Sequence, residues 1–318
     1  MKYQPPKAYI NSHLETIIPA LFRKVKFIPF QRERITTPDD DFLDLDWARQ
    51  ESKSLIIISH GLEGNSHKPY VRGMSKAFYQ NGFDVLAWNY RGCSGAINKQ
   101  LRFYHSGATD DLGLVVNHAL NRGYERLILI GFSLGGNLTL KYLGEQSDNI
   151  SKKIEKAVAI SVPLNLHTSC IKISEPGNFV YSKRFLINLK KKVRAKARLM
   201  PDKLDTTSLG KINTLMDFDD TYTAPIHGFK DAVDYYTKCS SLYFLQDINI
   251  PTLIINALND PFLSKDCYPV DALTDHKYVT LETPNHGGHV GFTLFNKEKL
   301  FWSEKRAIDF VQSSSNEV

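Results

Sequence analysis

The chain has 318 residues, 42% hydrophobic and 23% charged, with a formal net charge of +6 at pH 7. That is the balance of an ordinary soluble globular protein, and a charge of this size is no argument for nucleic acid as a partner. Four scattered cysteines, Cys93, Cys170, Cys239 and Cys267, form no C-x-x-C pair, so neither a zinc site nor a disulfide framework is expected and a reducing, cytoplasmic compartment fits best.

The N-terminal stretch "MKYQPPKAYINSHLETIIPALFRK" lacks the apolar core of a signal peptide, and no run approaches the roughly 18 apolar residues of a membrane span. No integral membrane segment is therefore expected. Residues 34–49, "RITTPDDDFLDLDWAR", read as two antiparallel strands joined by the turn residues Pro38 to Asp41 and capping one edge of a sheet. The runs 53–61, 83–92, 155–163 and 251–260 are apolar on both faces, as central strands covered by helices must be. Between them, 68–81 and 107–122 carry helical spacing, and 277–284 with 297–312 supply a last strand and a closing helix. This alternation predicts an α/β fold with a mostly parallel, doubly wound sheet.

Residues 164–247 break the alternation, being far longer than a plain crossover of about 30 residues requires. They read as a helical cap inserted into a core formed by 1–163 and 248–318. Eight Lys or Arg fall in 183–200, "KRFLINLKKKVRAKARLM". Such a run suits a solvated helix face first, and also attraction of anionic substrates or peripheral contact with lipid headgroups.

The chemistry centres on "LILIGFSLGGNLTLKYL", 127–143, where a buried strand gives way to a helix with Leu134, Leu138 and Tyr142 on its apolar face. Ser133 stands at the turn, flanked by Gly131, Gly135 and Gly136, in the pattern G-x-S-x-G. A sharp strand-to-helix turn forces its apex residue towards positive φ, and glycines remove the side chains that would collide there. The Ser133 hydroxyl would then project above the sheet, with the Leu134 N–H pointing into the same space.

A serine needs a general base, and the base an orienting carboxylate. In this arrangement the order is Ser, acid, His. Asp260, just past the strand "LIINAL", is at the right sheet edge; Asp266, Asp271 and Asp275 lie further on and Asp247 precedes the strand. "TPNHGGHVGF" offers His286 and His289, of which His289, behind the Gly287-Gly288 pair, is the expected base and His286 a loop-supporting residue. The H-x-x-H spacing has no third ligand, so neither a metal nor another cofactor is expected. The loop "HGLEGNS", 60–66, should give the second oxyanion donor, the Leu62 N–H, with His60 shaping the loop.

With these residues in place, the chain resembles the α/β-hydrolase superfamily and, within it, the YheT-like branch, the family-4 hydrolases. "SHLETIIPALFRK", "HGLEGNS", "NYRGCSG", "YHSGATDDL", "GFSLGGN" and "NHGGHVGF" resemble that branch's N-terminal segment, oxyanion loop, following loop, helix start, elbow and histidine loop, in order. The resemblance implies an α/β-hydrolase fold and a serine hydrolase cleaving small-molecule acyl esters through an acyl-enzyme on Ser133, with Asp260 and His289 completing a triad. Eukaryotic relatives include membrane-anchored phospholipid hydrolases and acyltransferases, and no comparable anchor is visible here. In "NYRGCSG", Arg91 and Cys93 are expected to fix the loop rather than to touch substrate. An acyltransferase using the same acyl-enzyme, or a non-catalytic binding protein on this scaffold, are the rival readings, and the sequence leaves the oligomeric state open.

Overall fold

The computed structural model describes residues 2–9 and 11–313. Its centre is an eight-stranded sheet in the order β1-β2-β4-β3-β5-β6-β7-β8. These are β1 Gln31–Thr36, β2 Phe42–Ala48, β3 Ser54–Ser59, β4 Asp84–Asn89, β5 Arg126–Phe132, β6 Ile154–Ile160, β7 Thr252–Ile255 and β8 Val279–Glu282. β1 and β2 form the antiparallel hairpin at one edge, β2 runs antiparallel to β4, and every other pairing is parallel. Each parallel crossover must pass over a sheet face, which is why the strands are apolar on both sides.

Five helices before residue 200 matter most for the site, with a sixth along them. α1 is Ser12–Phe22, α2 Pro69–Tyr79, α3 Thr109–Asn121, α4 Leu134–Gln146, α5 Leu166–Ile173 and α6 Phe179–Leu199. On one sheet face, Val71, Met74 and Phe78 of α2 join Ile308 and Phe310 of the closing helix Trp302–Gln312 against Ile56, Ile128 and Leu253. That closing helix begins at Trp302, five residues later than the periodicity of 297–312 suggests. On the other face, Leu112 and Val115 of α3 and Leu138 and Leu140 of α4 cover Ile57, Leu129 and Ala157.

α4 is more enclosed than an amphipathic helix. All its residues from Leu134 to Gly144 are buried, Asn137, Thr139 and Lys141 included. The covering segment is Ser241–Asp247, which lies within the expected cap, 164–247; Leu245 sits in the α4 core cluster, and the Asn137 amide bridges Ser106 O, Cys239 O and the Ser241 N–H. Buried polar atoms need partners: Asn137 finds them in Ser106, Cys239 and Ser241, while Thr139 and Lys141 find theirs within α4, at Gly135 O and Glu145.

The helices between β6 and β7 have an apolar cluster of their own, including Leu186, Val193, Leu215, Phe218 and Tyr236, with Phe262 reaching into it from the core. α6 is fastened to the core by its lysines. Lys192 Nζ donates to Glu63 Oε1 at 2.7 Å, and the buried Lys196 Nζ donates to Asn98 Oδ1 at 2.8 Å and Gln100 O at 2.6 Å. The basic run is thus divided: Lys192 and Lys196 turn inward, while Lys183, Arg184, Lys191, Arg194 and Arg198 remain exposed. Among the described residues no helix is long and apolar enough to cross a membrane.

Candidate active site

Ser133 lies between β5 and α4 with φ 53° and ψ −121°. A non-glycine residue rarely holds this conformation, and the surroundings enforce it. A Cβ on Gly131 would lie 2.3 Å from Gly135 O, and one on Gly135 would lie 2.3 Å from Ser59 O. Helix and strands approach so closely that only glycine fits, while the Ser133 N–H is held by Ile160 O at 2.8 Å.

The structure brings Ser133, His289 and Asp260 together from three chain-distant loops. Ser133 Oγ is 2.9 Å from His289 Nε2, and His289 Nδ1 is 2.9 Å and 3.1 Å from the two Asp260 carboxylate oxygens. With Nδ1–H donated to the carboxylate, Nε2 is left to accept the serine proton. The Asp260 side chain is fully buried, its Oδ1 also accepting the Phe262 N–H, and the Phe262 ring packs on the imidazole with centroids 4.2 Å apart. Asp266 is elsewhere, bonded to Asn165. His286 faces away from the serine: its Nδ1 lies 3.3 Å from Glu15 Oε1. Among the described residues no group of three or more His, Cys, Asp or Glu gathers as metal ligands.

The loop 60–66 is braced from below. Gly61 N–H donates to Tyr70 Oη and Glu63 N–H to Tyr104 Oη, while the intervening Leu62 amide, like that of Leu134, has no hydrogen-bond partner among the described residues. Both leucines line the cavity at Ser133. His60 is buried, with Nδ1–H donating to Gly61 O and Nε2 accepting the Tyr90 N–H; burial in this apolar setting pushes its pKa down to about 3, so it stays neutral. Arg91, 1% exposed at its side chain, is held by Asp39, Asp41 and Asp111 and so anchors its loop. Cys93 keeps its proton, burial raising the thiol to about 11.

Sequence reasoning missed the part played by α1. Glu15 Oε2 accepts the Gly287 N–H at 2.6 Å and the Asn259 amide at 2.9 Å, and Thr16 Oγ1 accepts the His289 N–H at 2.9 Å. Ser161 Oγ, from the turn after β6, accepts the Val290 N–H at 2.9 Å. The histidine loop is therefore clamped. Gly287 and Gly288 do not give it flexibility: their φ values are +145° and +54°, and a Cβ on Gly288 would lie 2.8 Å from Thr16 Oγ1. They let α1 lie against the loop. The readable signal is the polar pair Glu15 and Thr16 in the otherwise apolar "LETIIPALF".

Two hollows meet at Ser133. The inner one lies beneath the helices between β6 and β7 and is mainly apolar, with Ile173, Leu189, Val193 and Phe218 in its wall. The outer one opens between α1 and α6 past Leu21, Lys68, Val180 and Arg184. Leu62, Phe185, Phe262 and His289 border both.

An α/β-hydrolase family model matches residues 54–294. The Escherichia coli K12 protein YheT, provisionally named an esterase, is 34% identical over 98% of this chain and 93% of its own length. A Saccharomyces cerevisiae monoacylglycerol lipase is 34% identical over 84% of this chain but only 60% of its own. Among solved structures, an esterase of Pyrococcus furiosus superposes with a TM-score of 0.61 at 18% identity, over 98% of this chain and 97% of that one, a likeness of fold. On the family model and the YheT relationship, which spans nearly the whole of both chains, the chain belongs to the α/β-hydrolase family, in its YheT-like branch.

Proposed function

We propose that this protein is a serine esterase that cleaves small carboxylic esters through an acyl-enzyme on Ser133. The observation that carries the reading is the continuous relay of hydrogen bonds from Ser133 Oγ through the His289 ring to the buried Asp260 carboxylate. Relatives named esterase and monoacylglycerol lipase support the ester as substrate class.

In the first step His289 Nε2 takes the serine proton as Oγ attacks the acyl carbonyl, and Asp260 stabilises the imidazolium that forms. The oxyanion of the tetrahedral intermediate is taken up by the Leu62 and Leu134 N–H groups, whose lack of other partners supports this role. His289 then protonates the departing alcohol. A water, deprotonated by the same ring, releases the acid. No cofactor enters the scheme. We read 164–247 as a cap over a core of 1–163 and 248–318; its separate apolar cluster supports the division, with Ser241–Asp247 forming the seam. A cytoplasmic location accords with the four free thiols.

The test is labelling with a fluorophosphonate probe, followed by intact mass measurement and p-nitrophenyl ester turnover. Wild-type protein should gain one adduct on Ser133, and Ser133→Ala should gain none and lose turnover. Labelling elsewhere, or turnover surviving in Ser133→Ala, refutes the reading.

A further inference from the structure

The mouth of the outer hollow carries a surface that a water-facing rim does not need. Leu21 and Phe22 at the end of α1, and Phe179, Val180 and Ile187 at the start of α6, are each between 55% and 71% exposed. Leu21 and Val180 line the mouth itself. A shallow groove on α6, bordered by Phe179, Val180, Lys183, Arg184, Ile187 and Asn188, shares Val180, Arg184 and Asn188 with it, so Leu21, the apolar residues of α6 and the mouth form one continuous surface, with Phe22 next to Leu21 in the chain. The two helices are tied together here by a hydrogen bond between His13 Nδ1 and Tyr181 Oη at 3.1 Å.

The same rim is positively charged. Lys183 and Arg184, which border the groove, are exposed, and neither has an ion-pair partner among the described residues. Lys68, inside the mouth, has none either. The acid and base that also border the mouth are already paired, Glu63 with Lys192 and Arg23 with Glu304. Further along α6, Lys192 and Lys196 bind the core; at this end the helix presents cations together with large apolar side chains to the outside.

We propose that this rim, the end of α1 and the first turns of α6, docks the protein on an anionic lipid surface with the mouth facing the lipid. Apolar side chains set among lysines and arginines are the composition of an interfacial segment: the apolar groups enter the headgroup–acyl boundary and the cations meet lipid phosphates. An apolar patch of this kind marks an interaction surface of some sort. A second copy of this chain would set Lys183 and Arg184 against their like and is disfavoured on charge. Docked this way, an amphiphilic ester would pass from the lipid into the outer hollow and reach Ser133 without crossing water. Only that last consequence rests on the esterase reading.

The binding test uses the full chain carrying Ser133→Ala, so that it is independent of catalysis, and sedimentation with vesicles of phosphatidylcholine alone or phosphatidylcholine with phosphatidylglycerol. The expected result is binding to the anionic vesicles, weakened by salt. The exposed double variant K183Q/R184Q should bind them at least roughly tenfold more weakly, and F22S/F179S/I187S likewise. A matching fold is checked by circular dichroism. In the catalytically intact background, F22S/F179S/I187S should lose turnover of a monoacylglycerol held in anionic vesicles while keeping turnover of p-nitrophenyl butyrate in solution. No vesicle binding, equal binding to neutral vesicles, or a wild-type dimer in solution that F22S/F179S/I187S dissolves would each overturn the proposal. Failure to hydrolyse either ester would instead refute the esterase reading and leave the binding result standing.

Discussion

Ser133 is held in a conformation its side chain alone would not choose, and in the proposed esterase its hydroxyl is activated by His289, 2.9 Å away. Ser133→Ala and His289→Ala should therefore each lower kcat on the order of a million-fold, and the double variant should be little worse, because the residues act as one unit. Asp260→Asn should cost about 10⁴-fold by disturbing the tautomer of the ring. His286→Ala should be much milder, since its ring meets Glu15 and not the serine; equal losses at the two histidines in steady-state kinetics would overturn this assignment. His60 makes a separate prediction. Its pKa of about 3 lies below the ordinary 6.5, so on acidification the unfolded chain takes up this proton first. The stability that neutral His60 supplies is present above pH 6.5 and is lost as pH falls from there towards 3, by a few kcal/mol in total, on the order of 1.4 per pKa unit. In urea unfolding, the gap between wild type and His60→Gln should be widest near neutrality and narrow below pH 6.5. A gap constant with pH would show that the ring does not titrate on unfolding.

At the scale of elements, the helix α1 acts on the site through the histidine loop it holds. Its Glu15 and Thr16 take three N–H groups from the Asn259 side chain and the histidine loop, so removing the carboxylate should let the His289 ring wander from Ser133. Glu15→Ala is expected to reduce kcat about 10- to 100-fold with KM little changed, because a misplaced base slows the chemical step more than it weakens binding. Glu15→Gln, which keeps an acceptor oxygen, should recover most of the loss. A rise in KM with kcat preserved would assign Glu15 to the binding mouth instead. The elbow has a different sensitivity. A methyl on Gly135 would press on Ser59 O, backbone against which nothing can shift, so Gly135→Ala should lower thermal stability by at least 1–3 kcal/mol, the usual cost of overpacking, and an unchanged Tm would refute that packing argument. These elements differ in how far the sequence announces them. The elbow is local, and its strand, turn and helix are contiguous in "LILIGFSLGG". The clamp joins Glu15 to Gly287 across 272 positions, and no local pattern encodes such a contact. The enclosure of α4 has the same origin: its polar side is covered by Ser241–Asp247, so Asn137 and Lys141 look solvent-facing until the chain has folded.

For the whole molecule, strand order and the parallel sheet follow from the alternation of apolar runs and helices, and they bring the ends of β5 and β7 and the loop after β8 to one edge. The shape of the hollow at Ser133 does not follow from it. That space is made by helices between β6 and β7 whose residues, apolar and polar alike, carry no catalytic pattern, and it becomes visible only when Leu189 and Val193 of α6 and Phe218 are seen in one wall. The two hollows give the molecule a directional site. An ester at Ser133 must send one side inward and the other outward, and the apolar inner hollow suits the acyl chain while the cationic outer mouth suits the alcohol side. If so, chain length is set by the inserted helices and should change without any change in the catalytic residues. Ile173, at the end of α5, lines the inner hollow with a branched side chain that a larger ring would extend into the open space. Ile173→Trp should therefore lower kcat/KM for p-nitrophenyl laurate by at least tenfold relative to the butyrate, the loss expected when apolar contact worth about 1.4 kcal/mol or more is blocked. The wild-type series butyrate, octanoate and laurate provides the reference. If the variant keeps the laurate-to-butyrate ratio of wild type, the acyl chain does not enter the inner hollow, and the orientation of the ester across Ser133 is the reverse of the one argued.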